Sequence, residues 1–553
     1  MSKDSVRDID EGCVGVFGSP ISNGSKTHEG LHVKKVIFIV LLLLSSCAPL
    51  ASPAQGLPST PGPLSTVGLP PAYTPTPAPP PTHTPQPTPE VQHSDQQPGL
   101  LPDHIDDLSQ IKGATRYSID VQVTLDSEMR TAVLDGWAQI QFRNQLDHPL
   151  HEIYLMLWPN DSQYQASMVA GPVFIRDKVI DPKLELAGLA LRVDLPLPLA
   201  PGEMIDLGLP FRIEVESMRP SAPRRFGITE GVLIAPTFYP LIPRIVDDEW
   251  DVRRAPPGGD TTNSEIALYQ LRVTAPAAFD LVASGVEILN ETIGDLQRLT
   301  YVTGPMRDIA IAVADFVNES RQVGDVTVTA WVLEDHADDL DKVLDSATLQ
   351  MQVLGDLVGP YPYPELDIVD APAAFGGIEY PGLVFIGTVG THWVVEPTVH
   401  EVAHQWFYAL IGDDQISEPW LDEAAATYAE ALYYERALGS GRATGFLSDL
   451  RAIVREHPDP TIPIGLPVGD YASEADYAVF VYLKGALFFD ALRREIGDRS
   501  FSEFLKAYYE QYRYGFASGS DFQEVAEETC RCNLQDLFDL WVYVGGSISE
   551  LER

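Results

Sequence analysis

The feature that most constrains this chain is the segment at residues 398–411, which reads TVHEVAHQWFYALI. His400 and His404 stand four residues apart with Glu401 between them. On an α-helix this spacing places both imidazoles on one face, one turn apart. Two histidines in this register beside a carboxylate are the groups that bind zinc next to a general base. The segment therefore predicts a helix that carries a metal site.

A catalytic zinc ion takes three protein ligands and keeps one position for water, so a third ligand is needed. The metzincin pattern would require a glycine at Phe407 and a histidine at Leu410, and this class is therefore excluded. Glu423 lies nineteen residues after His404, near the start of the next predicted helix. Two antiparallel helices joined by a short loop can bring such a carboxylate onto the paired histidines, and Glu423 is the natural candidate.

Composition bounds the class of protein. A chain of 553 residues with 45% hydrophobic content can bury more than one core, so at least two domains are expected. The 37 basic and 79 acidic side chains give a formal net charge of −42, without a cluster of lysine and arginine that would neutralise phosphates. Nucleic acid is therefore excluded as an expected partner.

The amino-terminal region has the features of a secretory signal. An apolar run at residues 36–44 follows two lysines and is far shorter than the roughly 20 residues that span a bilayer. It ends in Leu-Ser-Ser followed by Cys47, which resembles a bacterial lipobox. Residues 1–47 are therefore predicted to be an extension and a lipoprotein signal peptide. Lipidation at Cys47 would anchor the protein to a membrane of the bacterial cell envelope, outside the cytoplasm.

Three further regions follow. Residues 48–114 are rich in proline and threonine and are predicted to form a disordered linker. Residues 115–320 contain alternating apolar and polar positions, as from Tyr117 to Leu125, and are predicted to form an all-β domain. Apolar residues then recur at helical spacing, so residues 321–553 are predicted to form a second, mainly helical domain.

Local signals predict several helix ends. Gly412 is expected to end the helix of the two histidines, and Ser417 to cap the next helix, which runs to Leu438. Ser520 and Gln523 form a capping-box pattern farther along. Cys530 and Cys532 are assigned to packing or to an incidental disulfide.

Two further segments complete a family pattern. Gly376-Gly377-Ile378-Glu379-Tyr380 lies upstream of the histidines and Tyr482-Leu483-Lys484-Gly485 lies downstream. With HEVAHQWF and the eighteen residues that separate His404 from a Glu423 within WLDEA, the chain resembles the aminopeptidase N family of gluzincin zinc metallopeptidases over roughly residues 115–550. The resemblance implies an all-β amino-terminal domain followed by a mainly α, thermolysin-like catalytic domain.

The resemblance also implies the roles of the site residues. His400, His404 and Glu423 would hold one zinc ion per chain, which lowers the pKa of a bound water and polarises the scissile carbonyl. Glu401 would act as the general base. Tyr482 would donate a hydrogen bond to the oxyanion.

Substrate recognition is implied for the upstream segment. Glu379 would bind the free ammonium of a peptide substrate, and Gly376 and Gly377 would let the peptide backbone approach. Tyr477 matches a second tyrosine of some relatives. Tyr380 stands where the family has asparagine, so the amine end of the site differs from the family pattern.

Alternatives remain open at this point. The chain stops about seventy residues after Tyr482, so we expect it to be a short form without the family's carboxy-terminal helical domain and with a more open cleft. The same zinc site could serve an endopeptidase or, as in one branch of the family, an epoxide hydrolase. A non-catalytic envelope lipoprotein that binds peptides is the alternative outside enzymes.

Overall fold

A computed structural model describes residues 93–218, 225–260, 264–372, 375–391 and 393–546. The predicted signal peptide, Cys47 and the greater part of the predicted linker lie outside these residues. Among the described residues, no helix is long and apolar enough to cross a bilayer.

The last part of the predicted linker is folded, so that prediction is wrong from residue 93 onward. Two 3-10 helices, His93–Gly99 and Pro102–Ser109, precede the first strand. Leu100 and Leu108 are buried in the core. Asp107 accepts a hydrogen bond from Tyr514 (3.0 Å) and pairs with Arg513 (3.2 Å). These contacts order the segment because they join it to residues near the carboxyl end, which a local composition pattern cannot predict.

The strand-rich part follows. Its strands are β1 (Thr115–Leu125), β2 (Thr131–Arg143), β3 (Leu150–Met156), β4 (Ala166–Ala170), β5 (Val173–Ile175), β6 (Lys178–Ile180), β7 (Lys183–Glu185), β8 (Ala190–Leu199), β9 (Met204–Glu216), β10 (Gly227–Thr229), β11 (Val232–Pro236), β12 (Ile245–Val246), β13 (Glu249–Trp250), β14 (Ala267–Pro276), β15 (Asp280–Ala283), β16 (Val286–Ile293), β17 (Leu296–Val302) and β18 (Ala310–Ala314). Alternate side chains of β1 from Tyr117 to Val123 are buried, as the period of two predicts.

These strands form several sheets in the described part of the chain. The largest has nine strands in the order β16-β17-β14-β1-β2-β9-β5-β6, with β4 also paired to β9. A second sheet has the order β10-β11-β18-β15, a third the order β3-β8-β7, and β12 pairs with β13.

A mixed sheet opens the mainly helical part. It contains β19 (Phe316–Val323), β20 (Val326–Leu333), β21 (Glu365–Asp370), β22 (Gly377–Tyr380) and β23 (Leu383–Ile386) in the order β19-β20-β21-β23-β22. It begins a few residues before the expected boundary at 321, because β19 pairs with β20 rather than with the strands that precede it. Strand β22 pairs antiparallel with β23 at the edge and carries Glu379.

Helices make up most of the remainder. They are α1 (Leu340–Leu357), α2 (Val395–Ala403), α3 (Trp420–Leu438), α4 (Ser440–Glu456), α5 (Glu474–Tyr477), α6 (Gly485–Tyr512), α7 (Gly519–Cys530) and α8 (Gln535–Phe538), with π-helical segments at Ala478–Lys484 and Asp539–Tyr543. A strand-rich part followed by a mainly helical part confirms the predicted fold class.

Two predicted helix ends and one predicted capping box are wrong. Helix α2 ends at Ala403 instead of continuing to Gly412, because the next turns widen: the Ala409 N–H bonds to the His404 carbonyl at 2.9 Å, and Tyr408 has a φ of 122°. Ser417 does not cap α3 but accepts a hydrogen bond from Arg253 (3.0 Å).

The capping box before α7 joins Ser518 and Asp521 instead of Ser520 and Gln523. The side chain of Ser518 accepts from the Asp521 N–H at 3.2 Å, and the Asp521 carboxylate accepts from the Ser518 N–H at 2.8 Å. Cys530 and Cys532, at the end of this helix, form a disulfide with each other.

Candidate active site

The structure brings the three predicted zinc ligands together. His400 lies in the last turn of α2, His404 follows its end, and Glu423 lies in the first turn of α3; all three side chains are buried. One oxygen of Glu423 lies 3.1 Å from Nε2 of His400 and 3.4 Å from Nε2 of His404. One potential ligand atom from each residue therefore lies within 4.8 Å of the other two.

Outer partners hold both imidazoles in this orientation. Nδ1 of His400 lies 3.2 Å from the carboxylate of Glu430, and Nδ1 of His404 lies 3.0 Å from the backbone oxygen of Phe407. Each Nε2 is thereby directed inward. Glu430 was not predicted from the sequence; its signal is its position seven residues after Glu423, two turns along the same face of α3.

The charges around the three predicted ligands favour the binding of a cation. Burial works to lower the pKa of His400, but hydrogen bonds to Glu423 and Glu430 outweigh it and raise that pKa to about 10. Burial works to raise the pKa of Glu423, and its contacts with the two histidines lower it well below the usual range. Two nitrogen donors, one carboxylate and outer partners that fix them are the donor set of a catalytic zinc site. These three residues fit a zinc ion.

Glu401 lies next to the ligands and against β22. A Cβ added to Gly377 would lie 2.3 Å from Cγ of Glu401, so the absence of a side chain at residue 377 makes room for the carboxylate. Burial raises the pKa of Glu401 to about 7, although the neighbouring histidines act to lower it. The carboxylate can therefore hold or release a proton near neutral pH. Gly376 lines the same cleft.

Glu379 also faces the cleft. One oxygen from Glu379, one from Glu401 and one nitrogen from His404 lie within 4.8 Å of one another. Gln415 donates a hydrogen bond to Glu379 at 3.1 Å and another to Asp422 at 2.9 Å, which fixes the carboxylate. Burial, reinforced by a nearby aspartate, raises the pKa of Glu379 well above its usual value. A positive charge at this position would therefore be stabilised.

The residue after Glu379 departs from the family pattern without filling the cleft. The side chain of Tyr380 is buried, and its ring lies edge-on to Phe385 with the ring centroids 5.8 Å apart. Its backbone oxygen accepts a hydrogen bond from Gln405 at 3.2 Å. The tyrosine at this position therefore serves the packing behind β22.

Tyr482 comes from the π-helical segment Ala478–Lys484. Its hydroxyl donates a hydrogen bond to Glu423, and its ring stacks near that of His400 at a centroid distance of 5.8 Å. Tyr477 is buried and packs edge-on against Tyr482, with ring centroids 5.7 Å apart. The structure thus places Tyr482 at the ligands and Tyr477 as support for its ring.

The strand-rich part also contributes to the cleft, which the sequence did not indicate. Arg225 and Asp260 form an ion pair whose side chains line the same cleft as Glu379 and the histidines. Burial raises the pKa of Asp260, and the Arg225 guanidinium opposes that shift. The only local signal was the turn at residues 256–259, which marks a loop but not its destination.

Comparison with known proteins found a matching peptidase family. Residues 344–541 match the family model described as peptidase family M1 domain. Aminopeptidase M1-B of Oryza sativa subsp. japonica is 28% identical over 322 residues, which cover 53% of this chain and 36% of that protein. Aminopeptidase B of Homo sapiens is 27% identical over 233 residues, or 39% of this chain and 35% of that protein. The chain thus spans about a third of the length of these curated relatives.

Solved structures share the fold. An M1 zinc metallopeptidase from Deinococcus radiodurans superposes with a TM-score of 0.59 at 20% identity, covering 78% of this chain and 93% of that one. A mutant of that protein bound to a Tyr-Ser-Ala substrate gives a TM-score of 0.58 over 94% of its chain. The comparisons support peptidase family M1 and, with it, a metallopeptidase.

Proposed function

We propose that this chain is a zinc-dependent aminopeptidase of peptidase family M1, which removes amino-terminal residues from peptides. The observation that carries the proposal is the presence, in one buried cleft, of the ligand set His400, His404 and Glu423 together with two further carboxylates, Glu401 and Glu379. Glu401 is placed to act as a base, and Glu379 is placed to bind a cation.

The residues divide the chemistry of amide hydrolysis among them. Zinc, when bound by the three ligands, would lower the pKa of a water and polarise the scissile carbonyl. Glu401 accepts the proton of the attacking water and delivers it to the leaving nitrogen, a task suited to a carboxyl group whose pKa is about 7. The hydroxyl of Tyr482 donates its one proton to Glu423 in the structure, and once Glu423 binds zinc it would instead donate that proton to the oxygen on which negative charge develops.

Glu379 favours an exopeptidase over an endopeptidase. Glu379 is only 6% exposed, and Gln415 holds its carboxylate in the cleft of the three ligands. A peptide whose chain continued past this point would leave the buried carboxylate of Glu379 without a cationic partner, which is costly. A free α-ammonium supplies that partner and places the first peptide bond near Glu401.

Blocked and free amino termini test this proposal. Purified protein would be assayed with a panel of aminoacyl chromogenic substrates and with N-acetylated versions of the same compounds. We expect turnover of the free amines only, abolished by a chelator and restored by zinc. Glu401→Gln should reduce kcat by about 10²–10⁴-fold, the contribution of a general base.

Equal turnover of acetylated and free substrates would contradict the aminopeptidase and indicate an endopeptidase on the same site. Turnover that survives both the chelator and Glu401→Gln would contradict the zinc mechanism itself.

We further propose that the enzyme acts outside the cytoplasm, attached to a bacterial membrane through lipid on Cys47. Support comes from the sequence of the amino-terminal region alone, since Cys47 lies outside the described residues. Metabolic labelling with a radioactive fatty acid should label the wild-type chain and leave Cys47→Ala unlabelled and released from the membrane fraction. Labelling of both chains, or of neither, would contradict the anchor.

A further inference from the structure

Lys484 is a buried cation that the mechanism does not use. Its side chain is fully buried, and its Nζ donates hydrogen bonds to three backbone oxygens: Pro460 at 3.0 Å, Ile462 at 2.6 Å and Gly546 at 3.2 Å. The described residues place no carboxylate within ion-pair distance of Nζ. All three protons of the ammonium therefore serve to join two distant segments, 460–462 and 546, to one turn of the chain.

That turn is the π-helical segment from which Tyr482 projects. The N–H of Gly485 reaches back to the carbonyl of Phe480, five residues earlier, where an α-helix would bond four residues back. The wider turn changes the direction of the side chains that it carries. Single π-helical turns within helices are rare, and they occur often at functional sites.

The π-helical turn is also in tight contact with α3. A Cβ added to Gly485 would lie 2.4 Å from Cβ of Ala424, the residue directly after Glu423. The turn is thus held by α3, through Gly485, and by the segments bonded to Lys484. Tyr482 lies two residues before Lys484 and bonds to Glu423 itself.

We propose that Lys484 is a positioning residue, which acts on the reaction through Tyr482 by fixing the π-helical turn against α3. The inference rests on the proposed hydrolytic function, because it assigns Lys484 to the placement of the oxyanion donor. A buried ammonium is unfavourable compared with an apolar side chain of the same length. Burial also lowers the pKa of Lys484 to about 8. Three directed bonds to backbone oxygens are what a methionine at this position could not provide.

A placement role has a kinetic signature that a purely structural role lacks. If Lys484 acts through Tyr482, its loss should weaken stabilisation of the transition state and leave substrate binding largely intact. The effect should also disappear when the tyrosine hydroxyl is already absent, since residues that act as one unit are not additive.

A double-mutant cycle tests the proposal. Lys484→Met, Tyr482→Phe and the double variant would be compared for kcat, KM, bound zinc and melting temperature, with Lys506→Met, an exposed lysine on α6, as the matched control. We expect Lys484→Met to lower kcat by about 10–100-fold with KM within about twofold and zinc unchanged. In the Tyr482→Phe background we expect the same substitution to change kcat by less than about twofold.

An equal loss of kcat in both backgrounds would overturn the proposal and leave Lys484 a structural residue. If Tyr482→Phe alone had no effect, the proposal would fall as well. If Lys484→Met does not fold, Lys484→Arg offers the same cycle, because the guanidinium keeps the charge and changes its reach. A wild-type enzyme without activity would instead contradict the proposed function. The zinc content and a comparison of the wild type with Glu401→Gln test that function separately from the role of Lys484.

Discussion

The surroundings of Glu401 suit it to the role of general base that we propose for it. An exposed glutamate has a pKa of 4.5, whereas burial raises the pKa of Glu401 to about 7 despite the attraction of His400 and His404. A base with such a value takes up a proton readily at the transition state and is still largely ionised above neutral pH. The glycine at residue 377 makes this burial possible, because a side chain there would occupy the space of the carboxylate.

The pH dependence of turnover follows from this value. Only ionised Glu401 can accept a proton, so kcat/KM should decrease as the pH falls. A bound dication lowers the pKa, so the apparent value should lie between 4.5 and about 7. A pH–rate profile of kcat/KM from pH 4.5 to 8.5 measures it. A profile that is flat over this range would contradict the assignment of Glu401 as the base.

Asp413 is another buried acid close to the site, and neither of its oxygens has a hydrogen-bonding partner among the described residues. Burial raises its pKa well above the usual value, although Arg307 opposes the shift. Because the folded-state pKa is raised, the protonated form is favoured, and stability is lost as the pH rises through that pKa. Its neighbour Asp414 has the opposite shift: burial is outweighed by a hydrogen bond from Arg253, which lowers the pKa.

Asp413→Asn should therefore stabilise the protein, and the gain should grow with pH. We expect the melting temperature to rise by about 1–3 °C at pH 8 and by less at pH 5, because asparagine cannot ionise. Thermal unfolding at both pH values measures the effect, with Asp414→Asn as the matched control that should lower the melting temperature at pH 8. A loss of stability in Asp413→Asn at pH 8 would contradict this account of the buried carboxyl group.

At the scale of elements, helix α3 organises the metal site. Glu423 in its first turn contacts both histidines, Glu430 two turns later orients His400, and Ala424 contacts the turn that carries Tyr482. One helix thus supplies a proposed ligand, an outer partner of another and the surface against which Tyr482, the proposed oxyanion donor, is placed. A change in its position would affect all three together.

Removal of the outer partner should weaken metal binding. Glu430→Gln keeps the shape but loses the charge that orients the imidazole of His400 and increases its basicity. We expect zinc affinity to fall by about 10–100-fold, the usual effect of such a partner. Competition with a chromogenic chelator measures the affinity. The control is Glu435→Gln, since Glu435 lies on the same helix as Glu430 but pairs with Arg493 of α6. Unchanged affinity in Glu430→Gln would show that the contact has no role in binding.

The sequence allowed the prediction of those parts of the site that have a fixed local spacing. His400, Glu401 and His404 follow from one helical turn, and Glu423, Glu379 and Tyr482 from the family segments around them. Glu430 was missed because a carboxylate seven residues along a helix is common. The end of α2 at Ala403 could not be predicted, since remote residues hold the wide turn after it: Arg307 donates to the backbone oxygen of Tyr408 at 2.8 Å, and the Tyr408 hydroxyl donates to Asp308 at 2.7 Å.

At the scale of the whole molecule, two contacts among the described residues illustrate how distant parts of the chain meet. Arg225 and Asp260 from the strand-rich part line the cleft of the catalytic part. Asp107, from the segment before β1, bonds to Arg513 and Tyr514 near the carboxyl end. Such contacts between remote residues leave no periodic trace in a single sequence. They explain why the all-β and mainly helical parts could be predicted while their contributions to one site could not.

The most direct test of the central claim is the zinc content of the purified protein, measured by elemental analysis beside its turnover of a free-amine substrate. We predict about one zinc ion per chain in both the wild type and Glu401→Gln, with turnover only in the wild type. Glu423→Ala should lose the bound zinc and turnover together, because it removes one of three ligands. Stoichiometric zinc and full turnover in Glu423→Ala, or turnover in a wild-type protein that holds no zinc, would contradict the account.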